Sequence, residues 1–166
     1  MIRLAVILAG DTPNPDGLPL EWPVSVEEVV DESRVIEHPY VEMTPLQYEQ
    51  HRAAYQPVYD AWETNRELEA ARAVKIERLW QSAYDFNFQY FSGGAYAQIL
   101  ELKLAGVSRA LDNQNWILTL WGDYYARKYQ AAAAKTFTEL DAISEDFSNH
   151  GPPPWTVLEM LASIQG

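Results

Sequence analysis

At 166 residues, with 48% apolar and 22% charged residues, the chain has the composition of a folded domain and carries no apolar run long enough to span a bilayer. It contains no cysteine, which removes disulfides, thiolate metal sites and cysteine nucleophiles. A formal net charge of −12 argues against nucleic acid as a partner, because phosphate binding needs basic side chains that release counterions.

Residues 1–43 read as an N-terminal β segment and acidic arm. The apolar run over 3–8 predicts a first strand rather than a targeting segment, since it is short and Asp11-Thr12-Pro13-Asn14-Pro15-Asp16-Gly17 follows at once with turn chemistry. Residues 24–30 and 34–37 alternate imperfectly around Asp31-Glu32-Ser33 and predict a short hairpin. Carboxylates crowd residues 11–49 with Arg34 as the nearest counterweight, which reads as a solvated arm or a docking strip for a basic partner.

Residues 44–145 read as a helical body. Thr44-Pro45-Leu46-Gln47 is a helix start: the threonine hydroxyl can accept the third helical N–H, proline suits the first helical position, and Gln47 can reach back. The helix is expected to kink or restart at Pro57 and to run to about Phe91. Tyr48, Tyr55 and Trp62 recur every seven residues, with Tyr59 alongside, and place their rings on one stripe that serves an intramolecular helix or an oligomer interface. Glu69 interrupts that stripe, so a sustained coiled coil is not expected.

Farther along, Ile76, Leu79, Trp80, Ala83, Tyr84, Phe86, Tyr90 and Phe91 widen the apolar surface nearly around the helix, which predicts a central position. Ser92-Gly93-Gly94 should end it. A shorter helix over 95–105 closes at Gly106, and Ser108, Asp112 or Asn113 is expected to cap the next, which carries Trp116, Trp121, Tyr124, Tyr125 and Tyr129. Gly122 inside that helix predicts close passage of a neighbouring backbone. Residues 146–166 read as a proline-rich turn and a short helix, opened by the capping box Thr156-Val157-Leu158-Glu159 and docked through Val157, Leu158, Leu161 and Ile164.

The chemistry of an active site is thin. His38, His51 and His150 stand in separate contexts without ligand spacing and read as surface or turn residues. No nucleophile elbow and no phosphate-cradling loop occurs, and Asp11, Asn14 and Asp16 are interleaved with prolines that hinder wrapping a calcium ion. No cofactor and no metal is expected. The fold class is therefore mainly α (α+β): short N-terminal strands, a long helix and a helical hairpin or bundle.

Two stretches, Met43-Thr44-Pro45-Leu46-Gln47-Tyr48 onward to Glu63 and Asp146-Phe147-Ser148-Asn149-His150-Gly151-Pro152-Pro153-Pro154-Trp155 onward to Met160, resemble small proteins encoded among the late genes of tailed bacteriophages. The helix ending Asp123-Tyr124-Tyr125-Ala126-Arg127-Lys128 is similar in character. The resemblance carries no catalytic residues. It implies a non-enzymatic tail, baseplate or fibre-associated component, located in the virion or in host cytoplasm during assembly. Its partners would be other phage structural proteins or a second copy of itself. Trp22, Tyr48, Tyr55, Tyr59 and Trp62 are then the expected contact residues. Alternative readings are a tail-fibre assembly chaperone and an acidic inhibitor of a host nucleic-acid-binding protein.

Overall fold

Leu4-Ala5-Val6-Ile7-Leu8 is apolar at every position, which suits a strand covered on both sides. In the computed structural model of the chain, which describes residues 2–29 and 39–163, that strand, β1 (Leu4–Leu8), is central. It pairs antiparallel with β2 (Pro23–Glu28) on one edge and β3 (Val41–Met43) on the other. Val6 lies opposite both Val26 and Val41. The first arm of the expected hairpin thus spends one edge on β1, and its second arm, 34–37, lies outside the described residues. Beyond β1 the pairing continues as Ala9 N–H donates to the Trp22 carbonyl at 2.9 Å and Gly10 N–H to that of Leu20 at 2.8 Å. A Cβ at Gly10 would meet Leu20 Cβ and O at 3.3 Å, so a larger residue there would have to push Leu20 back by a few tenths of an ångström.

The chain divides into two compact units, Met1–Glu67 and Leu68–Gly166. The long helix α1 (Pro45–Tyr90) contributes its first half to one and its second half to the other. Its start is the expected capping box: Gln47 N–H donates to Thr44 Oγ1 at 3.3 Å and Thr44 N–H to Gln47 Oε1 at 2.8 Å. The helix does not restart at Pro57. Pro57 and Ala53, four residues earlier, are both exposed, so water can take the carbonyl that loses its donor.

In the second unit, α1 packs with α2 (Ala95–Leu104), α3 (Ser108–Ala133), α4 (Phe137–Asp141) and α5 (Val157–Ala162) around two apolar clusters. One centres on Leu79, Leu120, Tyr124, Leu140 and Phe147; the other on Phe91, Ile99, Ile117 and Met160. Trp116 borders both, with ring centroids 5.8–5.9 Å from those of Phe86, Tyr90 and Phe91. Gly106, at φ +81°, ends α2 with Val107 N–H on the Leu102 carbonyl and Gly106 N–H on that of Lys103, the left-handed termination expected of it.

Several expectations fail here. α1 is not buried all round: Leu79, Ala83 and Phe91 are buried, whereas Trp80, Tyr84 and Phe88 stack on each other at 5.1 and 5.7 Å along an exposed face. Stacking four residues apart lets a helix carry large rings outside a core by covering part of each ring with the next. None of Ser108, Asp112 and Asn113 caps α3; Val107 precedes it without a side-chain cap, and Asn113 is interior and fully buried. Gly122 is exposed with no atom within 4 Å of a would-be Cβ, so among the described residues no backbone crosses there. At α5 the capping box of Thr156 and Glu159 forms, but Met160 is the buried anchor, while Leu158 and Leu161 face outward and Ile164 lies outside the described residues.

Asn113 explains how the proline-rich segment is held. Its Nδ2 donates to the Trp155 carbonyl at 2.7 Å, and its Oδ1 accepts from Trp155 N–H at 3.1 Å. Asn113→Ala leaves both Trp155 backbone groups without a side-chain partner and is expected to destabilise the chain by about 1–3 kcal/mol. Leu120→Ala, a pure cavity, should cost about 2–5 kcal/mol. Urea unfolding checks both; limited proteolysis should show cleavage within 148–156 rising for Asn113→Ala well before global unfolding.

Candidate interaction sites

In the first unit the sequence brings rings together at the start of β2. Trp22 sits one residue before that strand and stacks on Tyr59 of α1, centroids 4.2 Å apart and planes 20° apart. Tyr59 leans on Trp62 at 5.5 Å, and Arg66 lies over the Trp62 ring at 4.9 Å. Residues four and three apart on a helix share a face, which places Tyr55, Tyr59, Trp62 and Arg66 in sequence along it. His51 meets the Tyr55 ring at 4.7 Å and bonds through Nε2 to the Glu21 carbonyl at 2.8 Å. The loop before Trp22 is itself stiffened, because Asn14 both donates to the Leu18 carbonyl and accepts from Leu18 N–H at 2.8 Å.

Of the five expected contact residues, Trp22, Tyr59 and Trp62 are thus in one cluster, Tyr55 adjoins His51, and Tyr48 stands earlier on α1; all are half-buried. On the sheet, Val26 and Val41 flank the fully buried Val6 and are each 42% exposed, giving an apolar row across the three strands.

A second constellation, in the other unit, joins residues far apart in sequence. Asp123 on α3 accepts from Arg127 Nη2 at 2.7 Å and Nε at 3.1 Å, and its Oδ2 bonds His150 Nε2 at 2.9 Å. Arg127 also donates to the carbonyls of Ser144 and Asp146 at 2.9 and 2.6 Å and lies over the Phe147 ring at 4.3 Å. The His150 carbonyl accepts from Trp116 Nε1 at 3.3 Å. Burial works against the ionised form of Asp123, but the hydrogen bonds and charges of Arg127 and His150 outweigh it and hold the carboxyl below its ordinary value. Asp146 is lowered by the N–H and hydroxyl of Ser148, and Glu159 by those of Thr156.

A carboxylate and an imidazole in contact are two parts of a nucleophile-activating arrangement, but no hydroxyl bonds to His150 among the described residues. Nor does any group of three or more His, Asp or Glu converge to hold a metal ion among them. An open groove of about 640 Å³ beside Arg127, Ala134, Glu139 and Ile143 has its one guanidinium already committed to Asp123 and two carbonyls. The network therefore acts as a clamp that fastens residues 144–150 to α3. His150 lies in the expected turn, but it is bonded into the structure rather than free at the surface. The signal that was available is the Asp123-to-Arg127 spacing, an ion pair one helical turn apart.

No protein-family model matches the chain, and the searches of curated proteins and of solved structures found no significant match.

A carboxyl lowered in the folded state stabilises fully above its ordinary value, 3.8 for Asp123, and loses that contribution as pH falls through the lower folded value. Stability from Asp123 should accordingly be level from neutral pH to about pH 5 and fall below about pH 4. Asp123→Asn is expected to cost about 1–3 kcal/mol at neutral pH and to flatten the acid limb of the profile, checked by urea unfolding across pH.

Proposed function

We propose that the chain is a non-enzymatic structural component of a tailed-phage virion, associated with the tail, baseplate or fibre, and that it works through protein–protein contacts. The setting rests on the resemblance of residues 43–63 and 146–160 to late-gene proteins. The chemistry is supported by one observation above the others: a half-buried ring cluster, Trp22, Tyr59 and Trp62, at the start of a strand whose sheet carries exposed valines. Tyrosine and tryptophan offer large contact area with few rotors, and such groups dominate interface energetics. Among the described residues β2 and β3 are the outer strands of the sheet, which suits strand addition by a neighbouring subunit as the docking mode. Tyr48 and Tyr55 extend the same helix toward its start and would lie at the margin of the contact.

Mass spectrometry of purified particles tests the setting: the chain should be present at fixed stoichiometry. Its presence in infected lysates but absence from particles would replace this reading with the assembly-chaperone one. Trp22→Ala and Trp62→Ala should each lower incorporation into particles by about 10- to 30-fold, the effect of losing an interface anchor worth about 1.4–2 kcal/mol, with an unchanged far-UV spectrum as the check on folding.

A further inference from the structure

α3 has two apolar sides, and its fold uses one. Ile117, Leu120 and Tyr124 are buried, while on the opposite side Leu111, Asn115, Leu118, Gly122, Tyr125 and Tyr129 succeed one another at alternating steps of four and three residues and are all exposed. Leu118 is 60% and Tyr129 71% exposed. A four-three repeat averages 3.5 residues per turn and is the pattern that another helix follows by setting knobs into holes. The seam carries no charged residue, in a chain whose formal net charge is −12. Its flanks hold one acid, Asp112, already bonded to the Trp155 indole at 3.0 Å, and one base, Lys128, so two copies can meet here without crowding like charges. Gly122 sharpens the point. It weakens an exposed helix by about 1 kcal/mol against alanine, its φ is not positive, and none of the described residues comes within 4 Å of where its Cβ would be.

We propose that this face of α3 pairs antiparallel with the same face of a second copy of the chain. With the two-fold axis at the level of Leu120, Leu118 of each copy falls opposite Gly122 of the other, Asn115 opposite Tyr125, and Leu111 opposite Tyr129. The glycine leaves room for a leucine, the amide meets a phenol hydroxyl, and a leucine meets a ring; each contact occurs twice, as a two-fold interface requires. A parallel pair would instead set Gly122 against Gly122 and leave a gap, and an apolar foreign helix would leave the Asn115 amide unpaired. The seam is about 27 Å long and about 10 Å wide, a footprint of roughly 300 Å² per copy, against about 800 Å² per partner in a stable complex. The pair is therefore a weak and reversible one. It does not depend on the virion reading.

Sedimentation velocity of the full chain up to about 200 μM should show reversible monomer–dimer exchange, and Leu118→Glu should weaken it by at least about 50-fold. Tyr129→Lys, at another exposed position, should do likewise, with circular dichroism confirming that both fold. Because the chain has no cysteine, single-cysteine variants report cleanly on the geometry. A mixture of Leu118→Cys and Gly122→Cys should form a disulfide-linked heterodimer under mild oxidation, in excess of either variant alone. A monomer at the highest concentration, a dimer untouched by both seam variants, or equal cross-linking of Gly122→Cys with itself would each overturn the proposal.

Discussion

Asn113 grips both backbone groups of Trp155 from inside the core, and the arrangement of the second unit depends on that grip. Residues 151–155 contain three prolines in succession, which lack N–H groups and cannot form a helical or sheet ladder of their own. A fully buried amide supplies what the segment cannot. Once Trp155 is fixed, Thr156 starts α5, Met160 enters the cluster of Phe91, Ile99 and Ile117, and Arg109 stacks over the Trp155 ring at 4.3 Å while donating to the Glu159 carbonyl. At the other end of the same segment, Asp123 and Arg127 fasten residues 144–150. The two polar grips stand on one helix, with the aromatic core between them.

The other helix ends follow the same economy. Arg72 donates through both Nε and Nη2 to the Ala134 carbonyl, which closes the C-terminal end of α3 with a cation where the helix dipole favours one. Lys75 pairs with Glu145 at 2.9 Å. Thr136 caps α4 through the Glu139 N–H. Short helices of this kind have little intrinsic stability, so their existence rests on caps and on single buried anchors such as Leu140 and Met160.

What could be read in the sequence was the local chemistry. The boxes at Thr44 and Thr156, the glycine termination at Gly106 and the strand over 3–8 depend on neighbours within a few residues, and they formed as expected. The directions of the rings could not be read, because Trp80 and Leu79 look equally apolar and only the packing partner decides which turns inward. Gly122 predicts a crossing backbone, whereas among the described residues none approaches it. Heptad spacing on α1 relates Tyr48, Tyr55 and Trp62, with Tyr59 alongside; the pairing of Trp22 with Tyr59, far apart in sequence, follows from the sheet and is visible in no spacing. Asp123 with His150 is hidden for the same reason, since their meeting depends on the turn that the prolines and Asn113 impose.

The central place of β1 has a consequence for how the protein comes to be made. Leu4-Ala5-Val6-Ile7-Leu8 emerges from the ribosome before either of the strands that shelter it, and the second of these ends at Met43. At synthesis rates of about 5–20 residues per second, this sticky pentapeptide stays unsheltered for roughly two to eight seconds. That interval is open to chaperones and to misassociation between nascent chains on one polysome. The order of the strands thus leaves the middle of the sheet waiting, during synthesis, for both of its edges.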